Sequence, residues 1–171
     1  MNGRRRSLRG LAACGCVPLL AAAPRAHAQG SASPAPFEWP EIVLLDGTVW
    51  QPESWRDRAA VVVLWATWCP FCHGHNPHVE KLWQVVRGGP MRVLGVSIDR
   101  DPELVRRHVR ERGYTFPMTM ATDALRTRLV QRRVTPTTVT FDRRGRLLQR
   151  IPGEMFEDDV LALARLADGP A

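Results

Sequence analysis

Residues 59–72 read AAVVVLWATWCPFC, and this stretch decides the fold. Its first eight residues form a continuous apolar run rich in β-branched side chains, which is typical of a strand buried on both faces of a mainly parallel sheet. The chain then turns, and Pro70 stands where the first residue of a helix prefers to lie. Cys69 therefore falls at a helix N-terminus, where unpaired amide groups and the positive end of the helix dipole favour a thiolate.

Cys69 and Cys72 form a CxxC pair with the geometry of a dithiol that exchanges with disulfides. Cys69 is predicted to be the nucleophile that attacks a partner disulfide. Cys72, one helical turn deeper, is predicted to be shielded and to resolve the mixed intermediate. A structural staple is a weaker interpretation, because a disulfide closing so short a loop would restrict the unfolded chain little.

Strand and helix patterns alternate on both sides of this pair. We predict a hairpin over 42–50, strands over 59–66, 91–98, 137–141 and 147–151, and helices over 77–86, 99–113, 123–130 and 154–167. Alternation of strands and helices, closed by an antiparallel hairpin, predicts an α/β fold around a central mixed sheet.

The first 28 residues have the composition of an export signal. They carry five arginines and no acidic residue, followed by a small apolar run from Leu11 to Ala23 and a peptidase-type site ending at Ala28. Arg5-Arg6 resembles a twin-arginine signal, and ordinary secretion fits equally well. A lipoprotein cleavage box at Cys14 is a minor alternative. We expect a signal peptide over 1–28, a flexible tether over 29–40 and a single folded domain over 41–171.

Composition excludes several classes of protein. At 44% hydrophobic and 24% charged residues, the 171-residue chain is neither disordered nor collagen-like. Its net charge of +7 could indicate a nucleic-acid partner. Removing the five leader arginines leaves 19 basic against 17 acidic residues, a charge of +2, so no nucleic-acid partner is expected. The apolar run near the N-terminus is broken well before the roughly 18 to 20 residues of a membrane span.

The run VVLWATWCPFC, Pro77 and the triplet Thr135-Pro136-Thr137 resemble the TlpA-like thiol-disulfide oxidoreductases of the thioredoxin fold. The resemblance extends over residues 37–168. It implies a three-layer α/β/α sandwich with a central mixed sheet and an N-terminal β-hairpin extension. It also implies that Pro136 is a cis proline lying against the CxxC pair, and that Trp68, Thr135 and Pro136 bind the substrate.

Two positions depart from the family pattern. Members commonly carry a carboxylate three residues after the second cysteine, where this chain has His75. His75 is a candidate proton relay, and the alternative is a surface histidine on a helix. Phe71 stands where strongly oxidising relatives have a histidine, which favours a reductase. His73 in the first helical turn would oppose that preference if it were protonated.

Two other classes of protein share the motif. Cys69 to His73 also spells CxxCH, the attachment motif of c-type haem. The cysteines and the nearby histidines, His73, His75 and His78, could instead bind copper. We expect neither a cofactor nor a resident metal. The predicted partners are protein disulfide or thiol clients and a membrane electron donor or acceptor, and we expect a periplasmic monomer. A thiol oxidase or isomerase of the same fold is the alternative function.

Overall fold

A computed structural model describes residues 35–130 and 134–169. The predicted leader and the first part of the tether lie outside the described residues. The strands are β1 (Ile42–Val43), β2 (Val49–Trp50), β3 (Ala59–Trp65), β4 (Met91–Ser97), β5 (Met118–Met120), β6 (Thr137–Phe141) and β7 (Leu147–Pro152). The helices are α1 (Pro70–Val86), α2 (Pro102–Arg112), α3 (Asp123–Leu129) and α4 (Glu157–Ala162).

Five strands form the central sheet in the order β5-β4-β3-β6-β7. β3, β4 and β5 run parallel, whereas β6 runs antiparallel to β3 and β7 antiparallel to β6. The carboxyl end of β3 and the amino end of β6 therefore meet at one edge, which brings residues 66–72 beside residues 135–137. β1 and β2 pair separately as the predicted N-terminal hairpin.

Alternate side chains of β3 enter two different apolar cores. Val61, Val63 and Trp65 pack with residues of α1, α2 and α4, whereas Val62 and Leu64 pack with α3 and the N-terminal segment. All seven residues of β3 are buried, as expected of a central strand covered on both faces. The predicted three-layer sandwich with a mixed sheet is confirmed.

The boundaries differ from the sequence predictions at four elements. α1 is continuous from Pro70, as the proline predicts, whereas the apolar spacing predicted a helix only over 77–86. β5 was not predicted, because three residues at the edge of the sheet are too few to show a pattern. α2 begins at Pro102 rather than 99, since the Asp101 side chain caps the helix by accepting from the Glu103 N–H. The last helix is α-helical only over Glu157–Ala162 and continues as a 3₁₀ helix over Leu163–Asp168.

The predicted tether ends too late in the sequence. Trp39 is 9% exposed and stacks on Trp55 with 3.7 Å between ring centroids. The Phe37 N–H donates to the Gly145 carbonyl at 2.8 Å, and the Phe37 ring packs edge-on against Phe141. Residues 37–40 thus belong to the packed domain, because their aromatic side chains bury apolar surface against it.

No helix among the described residues is long and apolar enough to cross a membrane.

Candidate active site

The two thiols of the CxxC pair lie at the start of α1, where the sequence predicts them. Cys69 is the N-cap residue, and its Sγ accepts from the Cys72 N–H at 3.2 Å. This contact satisfies one of the unpaired amides at the helix start. Both cysteines are free thiols, and both are buried, Cys69 with 3% and Cys72 with 0% exposure. Cys69 therefore offers only a narrow opening to a partner disulfide.

Burial raises the pKa of the Cys72 thiol to about 12, and the hydrogen bond with Cys69 contributes in the same direction. Cys72 is thus a neutral thiol at pH 7. A thiol must lose its proton before it can attack a disulfide. Resolution of a mixed disulfide at this site therefore requires a route for the Cys72 proton.

The loop before β6 lies against Cys69. The peptide bond between Thr135 and Pro136 is cis, and Cys69 Sγ donates to the Thr135 carbonyl at 3.4 Å. The Pro136 carbonyl accepts from the Gly153 N–H at 2.8 Å, which joins this loop to the one that follows β7. The structure thus brings together three of the sequence-predicted site residues, Cys69, Thr135 and Pro136.

The Asp99 carboxylate, which the sequence analysis did not select, holds the turn that precedes Cys69. Asp99 accepts from the Thr67 N–H at 2.9 Å and from the Thr67 hydroxyl at 2.7 Å. The Ser97 hydroxyl donates to the same carboxylate at 2.7 Å. Thr67 stands two residues before Cys69, so Asp99 holds the turn that carries the nucleophile. Its position directly after β4 was the available signal, since sites in α/β folds form at the carboxyl ends of strands.

His73 completes this clamp on Thr67. Its Nε2 lies 2.8 Å from the Thr67 carbonyl, which can only accept, so Nε2 carries the proton. The His73 ring stacks on His108 of α2 with 5.4 Å between centroids. Burial, followed by repulsion from His73, lowers the pKa of His108. His73 Nε2 therefore bonds to the Thr67 carbonyl rather than to a thiol.

His75 is fully buried, which excludes the surface histidine considered in the sequence analysis. Its Nδ1 accepts from the Met155 N–H at 3.2 Å, so Nε2 carries the proton and donates to the Thr138 hydroxyl at 3.0 Å. Burial, reinforced by repulsion from His78, lowers the pKa of His75 to about 4. With both ring nitrogens occupied, the arrangement argues against a proton relay through His75, which instead joins α1 to β6 and the loop after β7.

Large apolar side chains are exposed on the segment that carries the thiols and on the loop after β7. Trp68 is 65%, Phe71 64% and Phe156 81% exposed. Phe156 belongs to the loop after β7, in which the Glu154 carboxylate lies directly over Gly74 of α1. Exposed aromatic side chains of this size mark surfaces that contact other proteins. Phe156 was not identified from the sequence, since only the packing of this loop against α1, through Glu154 and Met155, shows that it neighbours the helix that carries the thiols.

The geometry disfavours the two metal-based alternatives. The copper hypothesis requires its histidines to converge, but His73, His75 and His78 bond to Thr67, Thr138 and Met155 respectively. Among residues 35–130 and 134–169, no group of three or more histidine, cysteine or acidic side chains could hold a metal ion. The haem hypothesis requires thioether bonds to Cys69 and Cys72 and a free His73 nitrogen. In the structure both thiols are buried in the core, and His73 Nε2 bonds to the Thr67 carbonyl.

Comparisons with known proteins agree with this geometry. A family model described as redoxin matches residues 31–164. The thiol-disulfide oxidoreductase ResA of Geobacillus kaustophilus is 24% identical over 123 residues, which cover 71% of each chain. ResA of Halalkalibacterium halodurans is 26% identical over 117 residues, covering 68% of this chain and 66% of that protein.

Solved structures share the fold. A thiol:disulfide interchange protein from Chlorobium tepidum superposes with a TM-score of 0.71 at 24% identity, covering 80% of this chain and 97% of that one. StoA from Bacillus subtilis superposes with a TM-score of 0.63 at 13% identity, covering 72% and 93%. At these identities, the likeness describes the fold alone.

Proposed function

The chain belongs to the redoxin family, and we propose that it acts outside the cytoplasm as a reductase of protein disulfides through Cys69 and Cys72. Thiol-disulfide oxidoreductase activity follows from the family and from its ResA relatives, which are named for it. The observation that carries the proposal is the pair of free thiols at the start of α1, with Cys69 Sγ 3.4 Å from the Thr135 carbonyl beside Pro136.

The exchange proceeds in two steps. The Cys69 thiolate attacks a client disulfide, forms a mixed disulfide and releases the first client thiolate. Cys72 then attacks Cys69 Sγ, which forms the Cys69–Cys72 disulfide and releases the second client thiolate. Two electrons pass to the client, and a membrane electron donor must return them. Thr135 would hold the client chain through its backbone, and Pro136 and Trp68 would contact it through their side chains.

The surroundings of the thiols support the reducing direction. Strong oxidants of this chemistry have a stabilised reduced form, in which groups near the attacking cysteine favour the thiolate. Phe71 is apolar and largely exposed, and His73 donates to the Thr67 carbonyl. Neither side chain therefore supplies a hydrogen bond to a thiolate. The residues that the structure describes thus favour a potential near the reducing end of the scale.

Equilibrium titration of the Cys69/Cys72 couple against glutathione tests the direction. A reductase has a potential near that of thioredoxin, about −270 mV, whereas an oxidase lies near −120 mV. A value near −120 mV would establish the alternative function, a thiol oxidase of the same fold.

Single-cysteine variants test the two-step mechanism. Cys69→Ser should abolish insulin reduction, and Cys72→Ser should accumulate mixed disulfides with client proteins. Normal turnover by Cys72→Ser would contradict a mechanism that uses both cysteines. Recovery of the mature protein from a periplasmic extract, with an N-terminus near residue 29, tests the proposed export signal.

A further inference from the structure

The proton of Cys72 has no evident acceptor among the groups that the family pattern suggests. Cys72 is fully buried, and His75, which occupies the family's carboxylate position, has both ring nitrogens in hydrogen bonds. A second buried polar side chain, Asn76, follows His75 immediately. Asn76 lies four residues after Cys72, so the two share one face of α1.

Asn76 is 1% exposed, yet neither its amide oxygen nor its amide nitrogen has a hydrogen-bond partner among the described residues. Side chains four residues apart lie one above the other on a helix, so the Asn76 side chain is placed one turn beyond that of Cys72 on the same face. Leaving a buried amide without partners is costly, so such groups bind a buried water or serve a function. An amide that both donates and accepts is well suited to hold one water molecule.

We propose that Asn76 binds a buried water molecule beside Cys72, and that this water takes the Cys72 proton when the mixed disulfide is resolved. The inference rests on the proposed two-cysteine exchange. Asn76 is a positioning residue, because it acts through the water and does not itself take the proton.

The resolving step balances as follows. The Cys72 S–H bond breaks and its proton passes to the water, which in the same step gives up one of its own protons toward Glu80 and solvent. The Cys72 sulfur forms a bond to Cys69 Sγ, and the bond between Cys69 Sγ and the client sulfur breaks. The client leaves as a thiolate and takes up one proton from solvent, so that the client is reduced and the Cys69/Cys72 pair is oxidised.

The row of residues beyond Asn76 leads toward solvent. Glu80, a further four residues along α1, is half-buried, and its carboxylate accepts from the Thr115 N–H at 2.7 Å and from the Phe116 N–H at 3.1 Å. Burial alone would raise the pKa of Glu80, but hydrogen bonds from Thr115 outweigh it and hold the pKa below its usual value. Tyr114 packs against the same core, and burial raises its pKa. A negative charge at the outer end of this row favours departure of a proton in that direction.

Asn76→Leu removes both polar atoms and keeps the branched shape of the side chain, and Thr140→Val is its matched control. The Thr140 hydroxyl is also buried without a partner among the described residues, but it lies on β6, two residues beyond Thr138 and away from Pro136. Thr140→Val should raise the urea midpoint, because it removes an unsatisfied polar group from the interior.

Rapid mixing of reduced protein with glutathione disulfide, followed by acid quenching and mass spectrometry, measures both chemical steps. We expect Asn76→Leu to form the Cys69–glutathione mixed disulfide at the wild-type rate. It should resolve this disulfide at least about tenfold more slowly than the wild type at pH 7, since positioned proton transfer contributes at least this much. Thr140→Val should resolve it at the wild-type rate. Equal resolving rates in all three proteins would overturn the proposal.

Asn76→Asp provides a second arm that does not depend on the folding of the leucine variant. A carboxylate beside Cys72 is a base, so the resolving rate should fall as the new carboxyl is protonated at low pH, a limb that the wild type lacks. An unchanged pH profile would overturn the proposal. If the wild-type protein formed no mixed disulfide at all, the proposed function would fail, and this result is distinct from a normal resolving step in Asn76→Leu.

Discussion

Asp99→Asn tests whether the clamp on Thr67 sets the reactivity of Cys69. The carboxylate accepts three hydrogen bonds, two from Thr67 and one from Ser97, at 2.7–2.9 Å. A hydrogen bond to a charged group contributes about 1.5–3 kcal/mol and a neutral one about 0.5–1.5 kcal/mol, so the loss of charge costs about 1 kcal/mol for each bond. We expect a total loss of about 3 kcal/mol, and a melting temperature roughly 9 °C lower for a domain of this size.

The effect on reactivity separates this clamp from ordinary stabilisation. Asp142→Asn is the matched control, because the Asp142 carboxylate also accepts several hydrogen bonds, from the Arg144 and Arg146 N–H groups and from Arg146 Nε, but lies at the turn between β6 and β7. Loosening the turn before Cys69 should slow its reaction with glutathione disulfide about tenfold, since small misplacements of a reacting group carry large costs. Asp142→Asn should lose similar stability and keep the wild-type rate. Equal rates in the two variants at equal stability loss would refute the reasoning.

Three further predictions concern stability and client binding. The pKa of His75 is about 4 in the folded protein against 6.5 when unfolded, so the unfolded state binds more protons between these values. The contribution of His75 to the free energy of unfolding therefore falls by roughly 3 kcal/mol as the pH drops from 6.5 to 4. Urea unfolding at these two pH values should show a smaller loss of stability for His75→Gln than for the wild type. An identical pH dependence in the variant would contradict this. Trp68→Ala and Phe156→Ala should each slow insulin reduction several-fold, while the rate with glutathione disulfide and the melting temperature stay near wild type. Equal slowing with both substrates would argue against protein docking at these two side chains. Trp39→Ala should cost about 3–5 kcal/mol in chemical denaturation, because its ring stacks on Trp55, and a loss under about 1 kcal/mol would return residues 37–40 to the tether.

Local patterns were sufficient where one physical signal dominates. The apolar run over 59–66 predicted the central strand, and Pro70 predicted the start of α1 and hence the place of Cys69. Both agree with the structure to within one residue. β5 escaped prediction because three edge residues carry no periodicity, and α2 was placed three residues too early, since Pro102 is its first residue. In the fold, Asp99 bonds to Thr67, and Asp101 caps the helix instead.

The sequence by itself determined the order of the elements other than β5, the sheet class and the pair of reacting thiols, because burial periodicity and helix-start chemistry depend on residues close together in the chain. Tertiary structure alone decided what surrounds those thiols. Thr67 meets Asp99 across 32 positions, His75 meets Thr138 across 63, and Cys69 meets Thr135 across 66. A histidine that could be a surface base in the sequence becomes a buried, neutral link once β6 and the loop after β7 pack against α1. Proton affinity depends on burial and hydrogen-bond partners, and these exist only when distant segments are brought together.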